Sequence, residues 1–186
     1  MKALELLQGE HAAALEVLDQ LDLAATAVAA RVTIPAPVFS DMQEFFEVFI
    51  ERCHHTKEEA VLFPALDGND EVLLIQRLRA DHVRGHQLAG RYAMAVHAYR
   101  PGDAATGRQL AESARSYSAF LRQHIALETA ELFPAVERVL RDSDDQLVEA
   151  FERVERDEIG EGVHERLHAM IAQLSQRLSA SAAARP

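Results

Sequence analysis

The chain has 186 residues, 48% of them hydrophobic and 26% charged, which fits one globular domain and excludes disordered, collagen-like and low-complexity classes. Nineteen Lys and Arg stand against 30 Asp and Glu, a formal charge of −11, so the basic face that a nucleic-acid binder needs is missing. Glu5 interrupts any export-type apolar run, the longest small-apolar stretch (23–30) is far short of the ~20 residues of a membrane helix, and one cysteine, Cys53, cannot form an internal disulfide. The expectation is a cytoplasmic protein without nucleic-acid or membrane partners.

Glycine and proline are scarce, and the chain divides at four breaks, 32–37, 67–70 and 100–103, which contain them, and the acidic 141–145. The segments between them carry apolar residues at spacings of three and four. In the first, Leu4, Leu7, His11, Ala14, Leu18, Leu21 and Ala25 form one stripe with a histidine in its middle. The third gives Ile75, Leu78, His82, His86, Ala89, Ala93 and Val96, so both histidines are expected to point inward. The expected architecture is all-α: an antiparallel up-down-up-down four-helix bundle over 1–141. A C-terminal helical extension over 142–180, interrupted at Gly160 and Gly162, packs on it, and the tail over 181–186 frays.

The second and fourth helices contain the same phrase. IERCHHTKEEAVLFPA at 50–65 and FLRQHIALETAELFPA at 120–135 share Arg, His, Glu, Ala and Leu-Phe-Pro-Ala in register, 70 residues apart. Within it, His54 with Glu58 and His124 with Glu128 lie one helical turn apart on one face, so an imidazole and a carboxylate can grip one ion. Pro64 and Pro134 each remove an i to i−4 hydrogen bond, and each helix is expected to kink or end there.

The inward set is therefore His11, His54, Glu58, His82, His86, His124 and Glu128. Burying such groups unpaired costs on the order of 1–3 kcal/mol each, more than a marginally stable domain carries, so something must bind them. Five imidazoles and two carboxylates exceed one tetrahedral zinc. They match two six-coordinate ions bridged by the carboxylates, with small exogenous ligands completing the shells.

This order of ligands, together with Cys-His-His-x-Lys-Glu-Glu and Leu-Phe-Pro, resembles the hemerythrin family, in particular the bacterial hemerythrin-like HHE cation-binding proteins, over the first four helices. The resemblance implies two Fe ions in an oxo- or hydroxo-bridged non-haem centre. It also implies chemistry with O2, peroxide or NO, or sensing of iron and redox state. Two departures stand out. Oxygen-carrying hemerythrins end on an aspartate five residues after its histidine, where this chain has Glu128 at four, and many HHE relatives lack a histidine at the position of His86.

Ferritin-like di-iron enzymes use four carboxylates. Two carboxylates stabilise high-valent iron less, which favours binding and partial reduction of dioxygen or peroxide over hydroxylation. Three readings stay open: a protein that binds or redox-processes a small ligand, a peroxide-decomposing or NO-reducing enzyme, and an iron- or oxygen-responsive regulatory module. Among the remaining residues, His55 is expected about 100° off the seam and outside the ligand set. Cys53 and Tyr117 are expected as packing residues, His97 as a charge at a helix C-terminus, and His164 with His168 as residues that do not ligate.

Overall fold

The computed structural model describes residues 1–66, 70–160 and 162–183; the expected break at 67–69 and the end of the tail, 184–186, lie outside them. Helix α1 spans Lys2–Ala29. Helix α2 runs over 36–66 and alternates between α-helix (Ala36–Phe45, His55–Lys57, Phe63–Leu66) and π-helix (Phe46–His54, Glu58–Leu62). Helix α3 is Val72–Ala98. Helix α4 runs over 104–140, with a π segment at Glu128–Leu132 between Ala104–Leu127 and Phe133–Leu140. A 3-10 turn leads into α5 (Asp144–Val154, then π-helical Glu155–Ile159), and α6 is Val163–Ala183. No strand occurs among the described residues.

The ends of these helices follow from local chemistry. Arg31 turns the chain out of α1 with φ of 64°, and extended Pro35 starts α2 with a second proline at its first turn, where the missing N–H costs nothing. The Asp103 carboxylate accepts from Ala105 N (3.1 Å) and Thr106 N (2.7 Å), satisfying two orphan donors of α4. The start of α1 is capped from far away, since Lys2 N and Ala3 N donate to Asp144 at the head of α5 (2.8 and 3.0 Å). That contact ties the C-terminal extension to the N-terminus.

Contacts between α1 and α4 run in opposite senses along the two helices: Asp22 meets Ser118 and Arg122, Asp19 meets Arg122, and His11 meets Glu128. Helices α2 and α3 run likewise, with Phe39 O accepting from the Tyr92 hydroxyl, Glu51 meeting His86, and Glu59 meeting His82 and Arg79. Two apolar clusters fill the interior. One holds Ala14, Leu18, Phe39, Phe46, Tyr117 and Leu121 with Leu167, Ile171 and Leu174 of α6. The other holds Leu4, Leu7, Leu62, Phe63, Leu78, Leu132, Phe133 and Phe151. The candidate ligands lie at the level between these clusters, since His11 follows Leu7, His82 follows Leu78 and Leu132 follows Glu128. No helix among the described residues is long and apolar enough to cross a membrane.

The kinks expected at Pro64 and Pro134 take a particular form. Both helices continue through the proline, and each has a π-helical turn that begins at the repeated glutamate and ends two residues before the ring. A proline cannot donate to the carbonyl four residues back and its ring crowds that carbonyl. A widened turn accommodates both, and such turns are often found at functional sites.

Candidate metal centre

Six of the seven candidate ligands meet in one buried cluster. His11 comes from α1, His54 and Glu58 from α2, His82 from α3, and His124 and Glu128 from α4. Glu58 and Glu128 are fully buried and the four histidines are 2–8% exposed. Their donor atoms form two groups, each within 4.8 Å: His11, His54 and Glu128, and Glu58, His82, His124 and Glu128. Glu128 belongs to both, its Oε2 lying 3.0 Å from His11 Nε2 and its Oε1 2.8 Å from His124 Nε2. Glu58 spans the same gap more loosely, with Oε2 3.2 Å from His82 Nε2 and Oε1 3.8 Å from His54 Nε2.

These separations are those of hydrogen bonds, yet the alignment is not. Among the described residues, both carboxylate oxygens of Glu58 and Glu128, His82 Nε2 and His124 Nε2 are buried without a hydrogen-bond partner. Two imidazole nitrogens, His11 Nε2 and His54 Nε2, face each other at 3.2 Å. Lone pairs that converge without protons between them are the donor set of a cation, and nitrogen with carboxylate oxygen suits iron or another transition metal. The residues therefore fit a metal centre.

Electrostatics agree. Burial alone would lower the imidazole of His82, but the facing carboxylates of Glu128 and Glu58 push it up to about 10, and His54 is raised for the same reason. Burial and the charge of Glu128 raise Glu58. Burial would raise Glu128 too, but the facing imidazoles of His11, His124, His54 and His82 hold it well below the usual range. Without metal the cluster holds protons where a cation would sit, so metal uptake must expel them.

A further layer of residues fixes the imidazoles. His54 Nδ1 donates to Glu10 (2.8 Å) and His82 Nδ1 to Glu59 (2.8 Å). Because a carboxylate only accepts, each Nδ1 carries its proton, and each Nε2, once its own proton is expelled, presents a lone pair to the centre. Phe133 stacks on His11 at 5.1 Å and Phe63 on His82 at 5.6 Å, while Phe120 lies parallel to His124 at 6.2 Å. Phe120 can approach because Gly85 has no side chain: a Cβ there would stand 3.1 Å from the ring. Behind His54, Glu10 also binds the fully buried ammonium of Lys57, which Glu155 of α5 holds from the other side at 2.5 Å.

Burial would raise the Glu10 carboxyl, but the hydrogen bond and charge of His54, and then Lys57, hold it at about 2 against an ordinary 4.5. A carboxylate depressed in the fold contributes stability above its ordinary value and loses it as the pH falls through the folded value. Metal-free protein is expected to lose urea resistance between pH 4.5 and 2. Circular dichroism at fixed urea should show a shallower loss in Glu10→Gln, and an equal slope would discount the Glu10 contribution.

One expectation needs correction. His86 does not point inward: its side chain is 80% exposed and Nδ1 meets Glu51 at 3.1 Å, outside both donor groups. The buried seam of α3 runs through Gly85 and Tyr92 instead of His86 and Ala93. Spacings of three and four are satisfied by either path, and the tight fit of Gly85 against Phe120 selects the first. His55, expected about 100° off the seam and facing a neighbouring helix or solvent, does face a neighbour: it is 6% exposed and stacks on His82 of α3 (4.0 Å, 20° between planes). His55, His82 and His124 offer donor atoms within 4.8 Å, but an ion in the plane of the His82 ring lies out of the plane of the nearly parallel His55 ring.

Sequence reasoning also misses Glu10, Lys57 and Glu59, because charged residues in a helix read as a solvated face. Cys53 is buried, with burial pushing its thiol up to about 12, and Tyr117 packs between Phe46 and Tyr92. His97 is exposed in the last turn of α3. His164 and His168 lie against Phe49 rather than in the cluster.

Comparison with known proteins points the same way. A family model described as the hemerythrin HHE cation binding domain matches residues 2–136. Uncharacterized proteins from Mycobacterium bovis and from two strains of Mycobacterium tuberculosis are 28% identical over 146 residues, 77% of this chain and 57% of theirs. The aligned stretch thus spans little more than half the length of those relatives. No solved structure matches.

Proposed function

Because this chain belongs to the hemerythrin HHE cation-binding family, whose members bind metal, we propose that its cluster holds two iron ions in an oxo- or hydroxo-bridged centre. The observation that carries this reading is the double membership of Glu128: one carboxylate, with one oxygen against His11 and the other against His124, suits two ions side by side. His11 and His54 would hold one ion and His82 and His124 the other, with Glu58 as a second bridge. The opposite-sense contacts of α1 with α4 and of α2 with α3 support an up-down-up-down bundle as the frame.

Iron so bound would take O2, peroxide or NO as a ligand and exchange electrons with it. The chain's own residues hold the imidazoles in one tautomer through Glu10 and Glu59 and surround them with Phe63, Phe120 and Phe133. These rings shield the imidazoles from water on the faces they cover. We place the protein in the cytoplasm, for which the lone buried thiol is the support.

The test is iron content of protein from iron-supplemented cells, read with its visible spectrum before and after reduction and return to air. About two irons per chain with charge-transfer bands that bleach and return are expected. One zinc per chain, or a folded protein without metal or bands, overturns the reading.

A further inference from the structure

The two halves of the centre differ in how they meet solvent. On the His11 and His54 side, Phe133 covers one ring, and Glu10, Lys57 and α5 back the other. On the His82 side a cavity of about 350 Å³ opens at the seam between α2 and α3, lined by Glu51, His55, Glu59, His82, Val83 and His86 among others. Besides the ligand atom His82 Nε2, two buried polar atoms without a hydrogen-bond partner belong to this lining, His55 Nε2 and Glu51 Oε1. Neither is used by the metal set: His55 stacks nearly parallel to His82, out of line for the same ion, and the other oxygen of Glu51 accepts from His86.

A buried imidazole nitrogen left over beside a metal ligand, at the inner end of a cavity, is placed to hydrogen-bond whatever occupies the free position of that metal. An imidazole carries at least one N–H in either protonation state, so the His55 ring can donate. Val83, 62% exposed, stands at the rim, where a larger side chain would overhang the opening.

We propose that the exogenous ligand of the centre, a small two- or three-atom species with a hydrogen-bond-accepting end, enters through this α2–α3 cavity and binds the ion held by His82 and His124, with His55 as its hydrogen-bond donor. This rests on the two-ion reading above. The cavity is lined by His82 and by neither His11 nor His54, so it serves the ion on the His82 side.

The experiment uses azide, which fits this description and has a strong absorption when bound to ferric iron. Stopped-flow absorbance on the oxidised iron-loaded chain gives its association rate and dissociation constant. Val83→Trp is expected to slow association at least tenfold while iron content and the azide-free spectrum stay as in the parent. Met94→Trp, an exposed control elsewhere on α3, should change nothing. His55→Phe keeps the stacked ring and removes the N–H, and is expected to raise the azide dissociation constant about tenfold.

Unchanged azide kinetics in Val83→Trp, with iron retained, would overturn the entry path. Loss of iron in His55→Phe would make His55 a ligand and overturn its role as donor. A parent chain without iron overturns the two-ion reading and this proposal with it, and the iron assay reveals that before azide is added.

Discussion

Glu128→Ala is expected to abolish binding of both ions, whereas a substitution at any single histidine weakens the ion on its own side first. Glu128 is the one residue common to the two donor groups, and it faces all four clustered imidazoles. On the two-ion reading, removing it would take a bridging oxygen from each ion and the charge that offsets two cations in a buried site. Metal content measured on the purified variant should fall from about two ions per chain to well below one. Circular dichroism should still show a helical protein, because the two apolar clusters on either side are untouched. Glu58→Ala makes the informative comparison: Glu58 lies 3.2 Å from His82 but 3.8 Å from His54, so its loss should spare the His11 and His54 ion more. Retention of both ions in Glu128→Ala would refute the bridging role.

The second large effect is expected away from the ligands. The Lys57 ammonium is fully buried and paired with Glu10, itself only 5% exposed at the side chain. Lys57→Met leaves the Glu10 carboxylate with His54 alone, and breaking a buried pair from one side costs about 3–5 kcal/mol. Urea unfolding of the metal-free variant should show this loss. The double substitution Lys57→Met with Glu10→Gln should recover much of it, since the carboxylate left without the ammonium is then only that of Glu155, which is partly solvated. Metal affinity should fall about 10–100-fold in the single variant, because Glu10 fixes the ring of His54. Glu155→Gln should do far less on stability, as that carboxylate is 33% exposed and partly solvated already. A Lys57→Met protein as stable as its parent would show that the buried pair contributes nothing net.

How much of this is legible in the sequence differs by layer. The helical class follows from spacings of three and four, and the six clustered residues follow from a stripe with a histidine in it and from a repeated His-x-x-x-Glu turn. Both signals are local and survive any detail of packing. His86 departs from expectation because 82 to 86 and 82 to 85 are equally good helical steps, and only the neighbour across the seam, Phe120 against Gly85, decides between them. His55 faces a neighbouring helix as its offset from the seam implies, but its stacking partner is invisible because π-helical turns change the rotation per residue, and their one visible cause, a proline six residues beyond the glutamate, marks the second such turn of α2 but not the first. Glu10, Lys57 and Glu59 are ordinary surface residues by composition. They are drawn inward by α5 and α3 packing over α2, a long-range fact that no local window contains.

The repeated phrase also bears on how such a centre can assemble. His11 precedes His54 by 43 residues and His82 precedes His124 by 42, so the chain is two tandem hairpins, each a helix with a lone histidine followed by one with His-x-x-x-Glu. Each hairpin supplies the two imidazoles of one donor group, while the phenyl ring that covers a lone histidine comes from the other hairpin, Phe133 over His11 and Phe63 over His82. This is the exchange that an isologous dimer of two-helix subunits would make, here fused into one polypeptide. The two imidazoles of each donor group can thus be brought together by the closing of one hairpin, and the two halves are locked together only when the rings and Glu128 cross over.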